Sequence, residues 1–361
     1  MIHTWAMTCA LVASLGAASQ PAGGPERVSA SAATTERVRL VFSIDQGFGN
    51  GLVVNRDIDA ARRICEAVKT LRPAYDVFLL FNPQVADKAA LESILDAVVA
   101  EDVSFVLDVC SSDCQTLGTT TVQNHPVDGV HGVCIGVDDL ARYKCRYGEH
   151  LAGVRLMELF SMDFTNRAVK TTNPEWNTAG WKLPDDAFFQ PDLVRPFLRF
   201  ARTEGMFVQF SDWHWARLHP WDETLKAQEA ALRGLLGEFP GTVIVTYANN
   251  EPADKSVPRL RNWHEAVQPF VQDGAAAIGL SDQAWLREPE MSCPVEEVIE
   301  WAEQALSIGC RYIQFEPAWY FFKLPRGTFG RGDYRNDPKW QNSGEPLANF
   351  ERLKTALMER R

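Results

Sequence analysis

Paired histidines, nucleophile turns and phosphate loops are all missing from this chain. Only seven histidines occur in 361 residues, and the nearest approach to a ligand pair, His214 and His219, reads as loop polar groups rather than a metal site. No Gly-x-Ser-x-Gly turn is present, which argues against a serine-elbow esterase or amidase. No Gly-rich phosphate loop follows a strand in the form that nucleotide binding requires. Basic residues are outnumbered: 36 Lys and Arg stand against 47 Asp and Glu, a formal net charge of -11. An acidic chain without basic patches is poorly made for nucleic acid, and a neutral glycan suits it better. Beyond the opening residues no run reaches the ~18 consecutive apolar positions of a membrane span.

The opening itself is different. An apolar run from Trp5 to Ala18 is followed by Ser19, Gln20, Pro21 and an Ala/Ser/Thr-rich stretch to Thr35. This predicts a secretory signal over residues 1–18, a disordered linker over 19–36, and a folded domain from 37 to 361, in a secreted or periplasmic protein with no membrane contact once the signal is gone. The n-region carries His3 but no Lys or Arg. Of the eight cysteines, Cys9 falls in the signal, and Cys110, Cys114, Cys134 and Cys145 crowd one stretch where export makes disulfides reasonable. Zinc is the competing reading, but paired Cys-x-x-Cys units are lacking. No metal or cofactor is expected, and the protein is expected to be a monomer.

What the chain does have is alternation. A short apolar run, a polar loop and an amphipathic helix recur eight times. The strand candidates are Val38–Asp45, Asp76–Asn82, Val103–Val109, Ala152–Glu158, Phe207–Asp212, Thr242–Asn249, Ala275–Ser281 and Tyr312–Glu316. Helical spacing marks Ile58–Leu71, Leu91–Val99, Leu193–Ala201, Leu225–Leu236, Val295–Leu306 and Pro346–Met358, with Asp57, Pro191, Asp222 and Pro294 as start signals. Strict alternation specifies a parallel sheet covered by helices, and eight units close it into a single α/β (β/α)₈ TIM barrel without edges. The long segments Ser111–Val137, Phe160–Gln190 and Tyr320–Glu345 all follow strands, so a cleft is expected at the C-terminal face, where such barrels build their sites.

Acidic residues stand at those strand ends: Asp45, Asp108, Glu158, Asp212, Glu251, Asp282 and Glu316. Any one of them has an ordinary explanation as a loop cap or an ion-pair partner. Seven converging on one rim supply what glycosidic cleavage needs, two carboxyl groups held in different protonation states. Aromatic neighbours flank them, Trp213 and Trp215 with His214 between, Trp285, and Trp319 with Tyr320. Flat rings with a polar handle suit stacking on sugars as well as core packing. Asp45, Asn82, Trp213, His214, Trp215, Asn250, Asp282, Trp285, Trp319 and Tyr320 are therefore the candidate substrate contacts. Glu158, Asp212, Glu251 and Glu316 are the candidate catalytic groups.

Two segments carry a resemblance. Asn249-Asn250-Glu251-Pro252 resembles the acid/base motif of the clan A retaining barrel glycosidases, with Phe315-Glu316-Pro317 standing for the nucleophile, although the strand count puts them on the sixth and eighth strands instead of the fourth and seventh. Gly153 to Leu159 with Glu158, then Asp212 and Glu251, together with Ile44-Asp45 and Leu80-Phe81-Asn82, resembles glycoside hydrolase family 98, whose members are inverting endo-enzymes. That resemblance implies Glu158 as proton donor and Asp212 with Glu251 as the groups that orient and deprotonate water. Strand parity tells against Glu158, since it shares a side with Val154 and Leu156 while Arg155 faces the other way; a bulge would reconcile this. Parity favours Asp45, which falls with Arg39, Val41 and Ser43. The expected activity is hydrolysis of a poly- or oligosaccharide. A carbohydrate-binding barrel without catalysis is the alternative, and carboxyl oxygens about 5 to 9.5 Å apart would favour hydrolysis.

Overall fold

All eight expected strands are present in the computed structural model, which describes residues 37–44, 51–54, 56–81, 88–109, 121–125, 129–134, 136–157, 191–212, 223–247, 264–265, 267–283, 294–316, 321–322 and 346–360. The described strands are β1 Arg39–Ser43, β2 Asp76–Phe81, β3 Ser104–Asp108, β4 Thr121–His125, β5 Gly129–Cys134, β6 Leu151–Met157, β7 Phe207–Asp212, β8 Thr242–Tyr247, β9 Ala276–Gln283 and β10 Tyr312–Glu316. Eight of them form a closed barrel in the order β1-β10-β9-β8-β7-β6-β3-β2, and every neighbouring pair is parallel. This is a (β/α)₈ barrel. It lies within the compact unit Arg37–Arg361.

The helices follow their start signals. Asp57 caps the helix Ile58–Lys69 by accepting a bond from the Ala60 N–H at 2.9 Å, and the face it buries is Ala60, Ala61, Ile64, Cys65 and Val68. Pro191 opens the helix Pro191–Thr203, and Pro294 is the N-cap of Val295–Ser307. At the other end of such units the chain must reverse tightly into the next strand. Gly205 (φ 68°) and Gly309 (φ 91°) do so ahead of β7 and β10 in a left-handed conformation that costs glycine little.

Two strands and a helix went unforeseen. The segment expected as a long loop after β3 holds the antiparallel pair β4 and β5, with a register shift between Gln123 and Asn124. The helix Val137–Tyr147 then leads into β6. β8 is described to Tyr247, and the expected end at Asn249 lies outside the described residues; β9 runs to Gln283, so Asp282 belongs to the strand.

Strand alternation sorts the barrel residues into two cores. Outward residues, among them Leu40, Phe42, Leu79, Phe105, Val154, Leu156, Val208, Phe210, Ile313 and Phe315, pack against the helices in one large cluster. Inward residues Val41, Leu80, Val106, Val243, Val245 and Tyr312 form a second, with Phe78, Phe207 and Ala277 against it. The inner floor is aromatic. Phe207 meets Phe78 edge to face at 5.3 Å and Tyr312 at 6.0 Å, and the Arg39 guanidinium lies 4.8 Å over its ring.

Candidate active site

Above that apolar floor the barrel interior turns polar. Asp108, Arg155 and Gln209 are successive register partners on β3, β6 and β7, and Ser281 pairs with Gln314 across β9 and β10. All five, with Ser43, Glu316 and Tyr312, are buried. Arg155 carries the only guanidinium among the fully buried side chains described. Its Nε donates to Asp108 Oδ2 at 3.1 Å, its second terminal nitrogen donates to the same oxygen, and its Nη1 lies 3.5 Å from Glu316 Oε2. One cation thus bridges two carboxyl groups drawn from the ends of β3 and β10.

A chain of hydrogen bonds climbs β10 toward this bridge. The Tyr312 hydroxyl donates to Gln209 Oε1, Gln209 Nε2 donates to Gln314 Oε1 at 3.0 Å, and Gln314 Nε2 donates to Glu316 Oε2. Ser281 Oγ adds a bond to the same Glu316 oxygen at 3.2 Å. Residues two apart share a strand face, so Tyr312, Gln314 and Glu316 stack at three heights spanning about 13 Å.

The electrostatic result is a carboxyl poised near neutrality. Burial pushes Glu316 from the ordinary carboxylate range up to about 7; Arg155 and the bonds from Gln314 and Ser281 pull it down, and Asp108 pushes it up. Desolvation wins because the carboxyl is fully enclosed by protein and its one cation is shared with Asp108. Burial likewise holds the Tyr312 hydroxyl well above its usual range. A carboxyl that is half protonated at working pH is suited to give or take a proton.

Of the residues singled out in the sequence, Glu316 is described in full. It sits inside the barrel at the C-terminal end of its strand, as expected of a site residue, but at 1% exposure and bonded to Arg155. Asp212 and Asp282 lie on β7 and β9, and their side chains are outside the described residues. So are Asp45, Asn82, Glu158, Trp213, His214, Trp215, Asn250, Glu251, Trp285, Trp319 and Tyr320. Met157 is the last described residue of β6, and Val154 and Leu156 beside it belong to the outer core. Arg155 therefore takes the inward face, the arrangement that parity set against Glu158.

Missed altogether were Arg155, Gln209, Ser281 and Gln314 as site residues. A signal was available. Each is the first charged, amide or hydroxymethyl side chain after the apolar or aromatic opening of its strand, and strands buried on both faces have no reason to carry such residues unless the inner face is put to use. The cysteines also resolve in part: Cys145 is free and exposed, so it takes no part in a disulfide, and Cys65 and Cys310 are free and buried. Cys110, Cys114 and Cys293 lie outside the described residues.

No protein-family model matches the chain. No curated protein matches it either. Solved structures do. An endo-beta-1,4-mannanase from Thermotoga petrophila aligns over 90% of this chain and 77% of its own, at 9% identity and a TM-score of 0.47. The PgaB (BpsB) glycoside hydrolase domain from Bordetella bronchiseptica aligns over 89% and 99%, at 12% identity and 0.42. An N-acetylneuraminic acid synthetase from Leptospira borgpetersenii serovar Hardjo-bovis aligns over 90% and 83%, at 11% identity and 0.42. These neighbours differ among themselves in chemistry, and no activity passes from them to this chain.

Proposed function

We propose that the chain is an exported glycoside hydrolase that cleaves a poly- or oligosaccharide at the C-terminal mouth of its barrel. The observation that carries this reading is the buried charged layer Asp108–Arg155–Glu316, with Asp108 and Glu316 at the C-terminal ends of their strands, the end to which the sequence reading assigns the other acids. Burying three ionisable groups in a barrel core is expensive, and hydrophobic residues of similar volume would hold the fold as well or better. Such a layer is explained by a reaction above it that moves protons.

The roles divide by protonation. A nucleophile must be ionised, whereas burial raises Glu316, so Glu316 is assigned to support and position the rim, with Glu158, Asp212 and Glu251 supplying acid and base. Trp213, Trp215, Trp285 and Trp319 are assigned to the walls of the cleft, where their faces would stack on sugar rings. A retained tryptophan-lined cleft without turnover would fit the carbohydrate-binding alternative.

The test is a panel of polysaccharides incubated with purified protein, with product anomers followed by NMR. Hydrolysis of at least one is expected, with Glu251→Gln lowering kcat by about 10²-fold or more while the fold is kept. Glu316→Gln is expected to shift the pH profile and lower kcat less. A panel with no hydrolysis anywhere would overturn the reading, and a loss in Glu316→Gln as deep as in Glu251→Gln would return Glu316 to the chemistry.

A further inference from the structure

Two buried oxygens stand apart from the network just described. Ser43 Oγ and Glu316 Oε1 have no hydrogen-bond partner among the described residues, although Ser43 is 0% and Glu316 1% exposed. All three donors to Glu316, from Arg155, Gln314 and Ser281, converge on its other oxygen, Oε2. The residues that carry these two oxygens follow one another in strand register. The β1–β10 ladder pairs Val41 with Gln314 and Phe42 with Phe315, so Ser43 comes next to Glu316. Both also face inward, Ser43 in step with Val41 and Glu316 in step with Tyr312, which belong to the inner core.

We propose that the inner ends of β1 and β10 form a subsite for one hydroxyl group, held by Ser43 Oγ and Glu316 Oε1 together. The chemistry of the lining selects that ligand. A cation is disfavoured because the Arg155 guanidinium already sits on the same carboxyl group, and an anion is disfavoured by the carboxyl itself. A neutral group that both donates and accepts remains. Ser43 can do either, and Glu316 donates when protonated and accepts when ionised. Its position near neutrality makes both states available, so the hydroxyl can be held across a change of protonation.

Two sources share this chemistry. In the sugar-free protein the hydroxyl belongs to a water, as is usual for buried polar atoms that protein groups leave unsatisfied. With substrate present it is a sugar hydroxyl that displaces the water, and this second arm rests on the glycosidase reading above.

Crystal structures of the full chain would decide it, sugar-free and after separate soaks with glucose, galactose and mannose. Expected in the sugar-free crystals is a single oxygen within about 3.2 Å of both atoms. Ser43→Val, which puts a methyl group in place of the hydroxyl and adds a second methyl on Cβ, should lose that oxygen, and Ser43→Ala, which removes the hydroxyl alone, serves if the valine variant does not fold. A sugar oxygen found there after a soak names the ligand source; a retained water names the other, and both uphold the subsite. The proposal is overturned if wild-type crystals show no oxygen there, or show Ser43 Oγ and Glu316 Oε1 bonded to protein atoms instead. Because the sugar-free arm needs no turnover, an inactive panel with the oxygen present would sink the glycosidase reading and leave the subsite standing.

Discussion

At the scale of single residues the informative group is Glu316. Its carboxyl titrates near 7 in the folded chain and in the ordinary range when unfolded, so the native state holds the extra proton between those values. Stability is then fully present below the unfolded value and is lost as pH rises through about 7. At 1.36 kcal/mol per unit the loss is roughly 3 kcal/mol between about pH 4 and pH 8. Urea unfolding at both ends of that window should show wild type losing this amount while Glu316→Gln does not. A wild type and variant with parallel pH dependence would place the titration elsewhere.

Arg155 answers to the same logic with opposite sign. Replacing it with Met leaves Asp108 and Glu316 buried without their shared cation, and breaking a buried pair in this way costs about 3–5 kcal/mol. Removing its field should also move the Glu316 titration further upward, since Arg155 lowers it. Denaturant midpoints and a carboxyl carbon NMR titration measure the two effects separately. A midpoint unchanged in Arg155→Met would mean that the charges are not buried in solution.

Among elements, the inner faces of the strands depend on absent side chains. A Cβ at Gly153 would stand 2.6 Å from the Phe207 ring, and one at Gly279 would stand 2.5 Å from Val245 and 3.3 Å from Tyr312 Cβ. Glycine at these two places on β6 and β9 is what makes room for the aromatic floor. Gly279→Ala is expected to destabilise by about 1–3 kcal/mol, as overpacking does in a filled core. Thermal melts of Gly279→Ala beside Gly234→Ala, where a Cβ meets nothing within 4 Å, would show whether the cost comes from crowding or from glycine loss in general.

The elements were largely legible beforehand. Eight apolar runs and their flanking helices predicted the described strands to within one or two residues at nearly every end, because period two and period 3.6 are local properties of the chain. The pair β4 and β5 was not, and the reason is chemical. Thr121–His125 and Gly129–Cys134 mix polar residues and glycine, so they carry no apolar run of the kind that marked the eight barrel strands. Arg155 was visible as a residue but was read only as a parity problem for Glu158.

For the whole molecule, closure joins the two ends of the fold. β1 pairs with β10, and Phe42 on β1 stacks on Phe315 at 5.1 Å and meets Phe350 of the last helix, Pro346–Glu359, at 6.0 Å. That helix buries Phe350, Leu353 and Leu357, and its Leu357 carbonyl accepts from the Tyr75 hydroxyl at 2.7 Å. Removing residues after 345 exposes the outer surface of the β1–β10 seam. At ~2 kcal/mol for each of three large side chains, the loss is about 6 kcal/mol, comparable with the whole stability of an ordinary domain. The truncated chain should lack a cooperative melt by circular dichroism; a sharp transition near that of the full chain would show that the barrel closes without its last helix.

The chain's own pattern settled the class of architecture and the order of the eight barrel strands, and with them the side to which the ends of β3 and β10, bearing Asp108 and Glu316, must point, since a parallel strand sends its C-terminal end to the same side as its neighbours. Which polar residues meet was decided only by closure. Asp108, Arg155 and Glu316 are up to 208 positions apart, being residues 108, 155 and 316 of the chain, and their bridge follows from register around a ring of strands. The raised Glu316 carboxyl has the same origin, because desolvation belongs to the packed interior and not to any stretch of sequence.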